Sequence, residues 1–157
     1  TRRVDEIIEE TLKLLRDIRE NSNVMIHFSR RDEKLIARTQ SVVLEQIILN
    51  ITLNAIQQIA EFRPGIRGWI KINMQIVENK QGGNDRCRVF VEDNGPGIHA
   101  KLGEKVFDAG YSTRREGNGI GLYISRNLIQ EIGGEIYISK SHIMSGTTFV
   151  LEFPVHL

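Results

Sequence analysis

Apolar residues recur along this chain with two periods, and the succession of these periods predicts the order of its helices and strands. Apolar positions three and four apart predict helices over residues 4–20, 41–62 and 120–133. Shorter apolar or alternating stretches predict strands over residues 23–29, 34–38, 69–77, 86–93, 135–141 and 146–155. We therefore expect an α/β two-layer sandwich, in which helices cover one face of a mixed, mostly antiparallel sheet.

Length and composition narrow the class of protein further. A chain of 157 residues suffices for one domain with a core, so we expect a single domain over residues 1–157. The near balance of 21 basic and 20 acidic residues gives no support for binding nucleic acid through bulk charge. No apolar run approaches the roughly 20 residues that span a bilayer, so we expect no membrane insertion by this segment.

The cysteine content and the first residues bear on the compartment. Cys87 is the single cysteine, so no internal disulfide forms, which fits a reducing compartment. The opening residues lack the apolar stretch of a signal peptide, and they lack an initiator Met. We therefore expect a cytoplasmic domain that is an excised piece of a longer chain.

Two carboxamides, Asn50 and Asn54, lie four residues apart on the longest predicted helix and so share one face. Their neighbours are mostly apolar, and an unpaired buried polar group costs about 1–3 kcal/mol, so both amides need partners. Taken alone, the pair fits two interpretations equally well. The amides bond to loop backbone, or their oxygens face a cation such as Mg²⁺ and its waters.

A second candidate is the segment VEDNGPGI, residues 91–98, in which an apolar strand ends at Asp93. The following Asn, Gly and Pro residues are also those of an ordinary tight turn. A carboxylate at the end of an apolar strand is expected to be partly buried. There it accepts a hydrogen bond from an amino group, worth about 1.5–3 kcal/mol when charge-assisted.

The third candidate is REGNGIGLYISRN, residues 115–127, which places glycines at 117, 119 and 121 directly before a predicted helix. Bare backbone N–H groups and the positive end of a helix favour an anion, and phosphate is the expected one. The alternative interpretation is a flexible surface loop. The spacing of the glycines matches neither the dinucleotide-binding fingerprint nor the P-loop motif. Arg114 and Arg115 directly precede the glycines, so we expect them to be within reach of the same anion.

A fourth segment, SGTTF at residues 145–149, opens the last predicted strand. Gly146 permits close approach of backbone, and Thr147 offers a hydroxyl group. In isolation this segment is better explained as a hairpin turn followed by a β-branched strand. The four segments in this order are much more specific than any one of them.

Together these segments resemble the ATP-binding domain of the GHKL superfamily, which includes gyrase-type ATPases, heat-shock chaperones, MutL and sensor histidine kinases. The matching boxes are LEQIILNITLNAIQQI (N), VEDNGPGI (G1), EKVFDAGYSTR (F), GNGIGL (G2) and GTTF (G3). Residues 4–20 resemble the helix that opens the histidine-kinase catalytic domain. Within this superfamily, the sequences NAIQ and DNGPGI most resemble those of nitrogen-regulation-type sensor kinases.

The resemblance implies an ATP pocket covered by a lid at residues 99–118. At the adenine end, Asp93 would bind the amino group together with Thr147, while Gly95 and Gly97 would shape that side of the pocket. ATP and Mg²⁺ are thus the expected cofactors.

At the phosphate end, the resemblance implies that Asn54 would ligate Mg²⁺ and that Asn50 would lie beside the phosphates. Phe107 would anchor the lid, and Arg114 would contact phosphate. The G2 residues Gly117, Gly119, Gly121 and Leu122 would form the lid hinge and lead backbone amides to the phosphates.

Position 50 discriminates among functions within the superfamily. The ATPases carry a Glu four residues before the Mg²⁺ Asn as a general base, and this chain has Asn50 there, which has no useful basicity. An imidazole nucleophile has its own lone pair and needs no such base, so catalysis by Asn50 and Arg114 would reduce to positioning and charge stabilisation. Gln57 stands where the family often has Lys, so one phosphate contact is absent. A sensor histidine kinase is therefore favoured, with a GHKL-type ATPase or a non-catalytic scaffold as alternatives.

The phosphoacceptor box of such kinases is not present in the sequence. The four histidines lie at positions 27, 99, 142 and 156, in predicted strands or loops, and we expect none of them to be the acceptor. The acceptor helix would lie upstream of Thr1 on a dimerisation domain. The whole protein would then be a phosphoprotein of two-component signal transduction, with a response regulator as its downstream partner.

Overall fold

The computed structural model describes residues 1–17, 22–30, 36–111 and 121–157. Within these ranges, the helices are α1 (Val4–Leu14), α2 (Ser41–Phe62) and α3 (Gly121–Glu131), and a 3-10 helix spans Gly103–Phe107. The strands are β1 (Arg2–Arg3), β2 (Val24–Arg30), β3 (Arg38–Thr39), β4 (Gly68–Val77), β5 (Asp85–Asp93), β6 (Glu135–His142) and β7 (Gly146–Val155).

Five of these strands form one sheet in the order β2-β4-β5-β7-β6. Strand β2 pairs in parallel with β4, and the remaining neighbours pair antiparallel. Strands β1 and β3 form a separate two-stranded ribbon. The mixed, mostly antiparallel sheet predicted from the sequence is thus confirmed. Its register sets Asp93, the last residue of β5, opposite Thr147 near the start of β7.

Helix α2 lies at the centre of the core because most of one side of it is apolar. It contacts α1 and α3 as well as β4 and β5. Its buried residues are Leu44, Ile47, Ile48, Ile51, Thr52, Ala55, Ile56 and Ile59. Apolar side chains of the sheet, such as Ile70, Val89 and Leu151, belong to the same buried cluster. Removal of this apolar surface from water is what attaches the helical layer to the sheet.

The apolar content of α2 corrects one expectation from the sequence. In the described part of the chain, α2 is long and apolar enough to cross a membrane when judged by length and composition alone. The expectation that no segment approaches this limit was therefore wrong. The physical reason for the composition is burial inside the fold, since a helix packed between a sheet and two other helices needs apolar residues on several sides.

The structure defines the start of α2 and the segment after β5. Helix α2 begins at Ser41, and its N-cap residue, Gln40, makes no side-chain cap hydrogen bond. The segment after β5 contains the 3-10 helix, which places Val106 and Phe107 in the core. The opening helix predicted over residues 4–20 is seen as α1, which ends at Leu14, and residues 18–20 lie outside the described residues.

The turn before β7 and the end of β5 approach closely, and only a glycine fits between them. Gly146 has a φ of 124°, and a Cβ built on it would lie 1.8 Å from the backbone oxygen of Asp93. Both the backbone conformation and the lack of space therefore exclude a side chain. This contact sets the separation of the two strands at the end where Asp93 and Thr147 face each other.

We expect Gly146→Ala to lower the free energy of unfolding by about 3 kcal/mol, because it adds backbone strain and a clash with β5. For a domain of this size the melting temperature should then fall by about 9 °C, as measured by calorimetry. Gly82→Ala is the matched control, since Gly82 has a φ of 82° but open space around it. That control should cost only about 1–2 kcal/mol. Equal losses for the two variants would show that the close approach contributes nothing.

Candidate functional site

A cavity of about 380 Å³ opens between helix α2, the turn that follows β5, the 3-10 helix and the first residues of α3. Its floor includes side chains from the sheet, such as Phe149 of β7. The predicted site residues that line it are Asn50, Asn54, Asp93, Gly97, Gly121, Leu122 and Thr147. Residues from four separate stretches of sequence therefore meet at one cavity.

The other predicted site residues lie elsewhere. Gly95 is buried beside Asp93 and does not line the cavity. Phe107 is also buried, and its ring packs in the core next to the cavity wall. Arg114, Gly117 and Gly119 lie outside the described residues, so their predicted roles remain predictions.

Asp93 is a buried carboxyl group, with 8% of its surface exposed, at the point where β5 ends. Its Oδ1 accepts a hydrogen bond of 2.9 Å from the backbone N–H of Gly95, and the backbone N–H of Thr147 also donates to the carboxylate. Burial raises the pKa of Asp93 to about 6, and the two backbone hydrogen bonds oppose that shift. The carboxyl group is thus an acceptor in low dielectric, suited to a neutral amino group.

The absence of a side chain at Gly95 follows from the position of this carboxylate. A Cβ built on Gly95 would lie 2.9 Å from Oδ1 of Asp93. A larger residue would therefore push the carboxylate out of position. Gly95 thus acts on the cavity through Asp93 rather than by lining it.

Thr147 and Ser141 form a pair of hydroxyl groups beside Asp93. The Oγ1 of Thr147 lies 2.9 Å from Oγ of Ser141, which also accepts a hydrogen bond of 2.7 Å from the backbone N–H of Ile98. Ser141 was not among the predicted site residues. The signal was available in the hairpin register, because Ser141 of β6 pairs directly with Thr147 of β7.

The two asparagines of α2 differ in their partners. Oδ1 of Asn50 accepts a hydrogen bond of 3.1 Å from Nε2 of Gln46, one helical turn earlier. In the described ranges the side chain of Asn54 has no hydrogen-bond partner, while it lines the cavity. Among the described residues, neither amide side chain bonds to loop backbone. The interpretation that the two amides serve as partners of loop backbone therefore loses its support.

Asn94 directly follows Asp93 in the sequence, but its side chain has a structural role. Its Oδ1 accepts a hydrogen bond of 2.7 Å from the backbone N–H of Trp69, and its Nδ2 donates to the backbone oxygen of Arg67 at 3.0 Å. Both bonds attach the turn after β5 to the start of β4. The polarity of this turn is thus explained by backbone partners on the neighbouring strand.

An aromatic cluster attaches the 3-10 helix to α3 and to the sheet. The rings of Phe107 and Phe149 meet edge to face with their centroids 6.1 Å apart. The guanidinium of Arg126 lies 4.0 Å from the centroid of the Phe107 ring and forms an ion pair with Glu104. Because Phe149 also lines the cavity, the cluster joins the cavity wall to the element that precedes residues 112–120.

Tyr111 and Ile98 also line the cavity and were missed in the sequence analysis. Burial raises the pKa of the Tyr111 hydroxyl. Ile98 immediately follows the predicted DNGPG turn, so its proximity to that motif was the available signal. Tyr111 stands in an irregular segment, where no periodic pattern indicates which side chains turn inward.

The donor groups of the cavity fit a magnesium ion only if a ligand brings further oxygens. Among the described residues no group of three or more His, Cys, Asp or Glu side chains is placed to hold a metal. Asn54 offers one amide oxygen without a competing hydrogen bond. Mg²⁺ prefers oxygen ligands, keeps several waters, and is commonly shared between one or two protein groups and substrate phosphates. The residues present are compatible with that arrangement.

Comparison with known proteins identifies the family. Residues 39–157 match the model of the histidine kinase-, DNA gyrase B- and HSP90-like ATPases. Sensor histidine kinase ZraS of Salmonella typhimurium is 30% identical over 152 residues, which are 97% of this chain and 30% of ZraS. Signal transduction histidine-protein kinase AtoS of Escherichia coli is 30% identical over 98% of this chain and 23% of AtoS. The chain thus spans less than a third of the length of these relatives.

Solved structures agree with this assignment. The catalytic domain of histidine kinase ThkA in a nucleotide-free form superposes with a TM-score of 0.78 and 28% identity, covering 96% of this chain and 91% of that one. ThkA in complex with response regulator protein TrrA superposes with a TM-score of 0.74 at 28% identity, over 98% of this chain and 40% of the solved one. The chain therefore belongs to the histidine kinase-, DNA gyrase B- and HSP90-like ATPase family, as a catalytic domain of the sensor histidine kinase type.

Proposed function

We propose that this domain binds ATP with Mg²⁺ in the cavity and transfers the γ-phosphate to a histidine on a dimerisation domain outside this sequence. One observation carries the proposal. A buried carboxyl group on β5, two carboxamides on α2 and the N-terminus of α3 border the same cavity. These are the groups needed for an amino-bearing base, a metal-phosphate cluster and an anion, respectively. The proposal extends to the whole of residues 1–157 as one catalytic domain.

The adenine end of the cavity is the end at Asp93. The carboxylate accepts a hydrogen bond from the amino group of the base, and the hydroxyl of Thr147 assists from the neighbouring strand. Burial strengthens the interaction because little water competes for either partner. Gly95 leaves the space that the carboxylate requires, and Gly97 lines the cavity.

The phosphate end is the end at α3. Helix α3 is described from Gly121 onward, and Gly121 and Leu122 line the cavity, so the positive end of the helix dipole would favour the phosphates there. Asn54 would hold Mg²⁺ through its amide oxygen, with Asn50 one turn earlier beside the phosphates, and the metal would supply neutralisation of phosphate charge. The predicted contacts of Arg114, Gly117 and Gly119 would complete this end, and Phe107 would anchor the lid.

Phosphotransfer to histidine is favoured over hydrolysis by the chemistry of position 50. The amide of Asn50 cannot remove a proton from water. Glu45, the glutamate of α2 nearest in sequence to Asn50, does not line the cavity and so does not replace the missing general base. A histidine acceptor attacks through its own lone pair. The chain's contribution is then to position the phosphate and stabilise its charge.

The partners follow from the same proposal. The relatives are sensor kinases, and ThkA was solved with response regulator protein TrrA, so we infer a response regulator downstream of this chain's parent protein. The domain would act in the cytoplasm, whether or not the parent is anchored in a membrane. A nitrogen-regulation-type subclass is supported only by the NAIQ and DNGPGI wording.

We expect the affinity for adenosine to fall about fourfold between pH 7.5 and pH 5.5, because only the ionised carboxylate of Asp93 accepts a charge-assisted hydrogen bond. The pKa of about 6 makes the carboxylate mostly ionised at the higher pH and mostly protonated at the lower one. Calorimetric titration measures this, and adenosine avoids the titration of phosphate groups.

Asp93→Asn is the matched control for this titration. It should bind adenosine and ADP about 10–100-fold more weakly than the wild type and show a flat pH profile, since it lacks the charged acceptor. Equal affinity of the two proteins at pH 7.5 would refute the assignment of Asp93 to adenine.

Asn54→Ala should remove most of the gain in affinity that Mg²⁺ gives to a non-hydrolysable ATP analogue, about tenfold, because the metal loses its protein ligand. Affinity for ADP without Mg²⁺ should stay near the wild-type value. Gln130→Ala removes an exposed amide from helix α3, away from the cavity, and it should retain the Mg²⁺ effect. A Mg²⁺ effect that survives in Asn54→Ala would place the metal elsewhere.

The transfer reaction itself is tested by mixing this chain with the dimerisation domain of its own parent protein and γ-labelled ATP. We expect the label on a histidine of the dimerisation domain and none on His27, His99, His142 or His156. Steady phosphate release by the isolated domain, lost in Asn50→Ala, would favour an ATPase instead. Nucleotide binding without any labelling would favour a non-catalytic scaffold.

A further inference from the structure

We propose that Arg63 is a positioning residue that sets the geometry of the adenine end of the cavity. The inference rests on the proposed function for the identity of the ligand. Arg63 lies directly after α2 and does not line the cavity, so it acts through other residues. It joins two turns that are far apart in sequence: the adenine turn, residues 94–97, and the hairpin turn, residues 143–145.

The guanidinium of Arg63 bonds to the backbone of both turns through one nitrogen. Its Nη1 donates to the backbone oxygen of Asn94 at 2.9 Å and to the backbone oxygen of Met144 at 2.7 Å. The two turns also bond directly, since the N–H of Met144 donates to the oxygen of Pro96 at 2.6 Å. A single side chain at the end of α2 thus holds the hairpin turn against the adenine turn.

Met144 shows that the hairpin turn needs this support. It has a φ of 60°, the one positive value at a non-glycine position among the described residues. Such a conformation is costly for a residue with a Cβ and persists only where the surroundings enforce it. The side chain of Met144 is 51% exposed, so packing does not supply the restraint. Its two backbone groups supply it, through Arg63 and Pro96.

The turns are close enough for a movement of one to displace the other. A Cβ built on Gly97 would lie 2.1 Å from the backbone oxygen of His142, and one built on Gly146 would lie 1.8 Å from that of Asp93. A hairpin turn released from Arg63 would therefore shift Gly146 and Thr147 relative to Asp93. The two base-binding groups would then lose their mutual alignment.

The chemistry of arginine suits this position. It carries several N–H donors and a permanent charge, so it serves two carbonyl oxygens at any physiological pH. Its buried Nε has no hydrogen-bond partner within the described ranges, which is an energetic cost. The guanidinium therefore contributes at this position through its Nη1 bonds.

The test compares ADP with inosine diphosphate, which carries a carbonyl oxygen in place of the adenine amino group. Arg63→Met should weaken ADP binding about tenfold and change inosine diphosphate binding little, so that discrimination between the two bases is lost. Arg67→Met is the matched control, because Arg67 is an exposed arginine nearby and its side chain makes neither contact. Arg63→Lys should restore part of the discrimination, since its ammonium also donates to carbonyl oxygens but on a shorter stem.

Amide hydrogen exchange without nucleotide provides a second measurement on the same variants. Arg63→Met should speed exchange of the N–H groups of Met144 and Gly95 about tenfold or more, whereas Arg67→Met should leave both unchanged. Unchanged exchange, or an equal loss of affinity for ADP and inosine diphosphate, would overturn the inference. Failure of the wild-type domain to bind ADP would overturn the proposed function and this inference with it. That failure is distinguishable, because it is measured on the wild type before any variant is tested.

Discussion

The antiparallel pairing of β5 with β7 is the interaction on which the candidate site depends. It sets Asp93 opposite Thr147, and the bare backbone at Gly146 lets the two strands meet closely at that end. The buried carboxylate of Asp93 accepts hydrogen bonds from the backbone N–H groups of Gly95 and Thr147. These bonds orient the carboxylate without neutralising its charge. Residues more than fifty positions apart in the sequence are thereby brought together where β5 ends and β7 begins.

Helix α2 combines a structural task with a functional one. The side that carries Ile48 and Ile51 is buried against the sheet, while the side that carries Asn50 and Asn54 borders the cavity. A helix can do both because residues one turn apart share a face and intervening residues do not. The stability of the core thus depends on the same element that positions the two amides at the cavity.

Burial gives the site its chemistry and also its cost. The raised pKa of Asp93 means that its charge is disfavoured in the folded state, since water is excluded from it. The same exclusion strengthens a hydrogen bond to a neutral amino group. The network of turns around this carboxyl group, which includes Asn94, Ser141 and Arg63, holds polar groups in fixed positions by bonding them to backbone.

The sequence by itself determined the order of elements and the residue types of the site. Apolar periods predicted α2 and the hairpins with boundaries within a few residues, because burial on one face leaves a repeating pattern in the chain. The resemblance to the family adds the expectation that Asn50, with no basicity, stands where the ATPases carry a catalytic Glu. Only the tertiary structure decided that Asn54 and Asp93 share one cavity, that Ser141 supports Thr147, and that Arg63 joins two turns. Those relations depend on strand register and on contacts between distant segments, which local patterns of polarity do not encode.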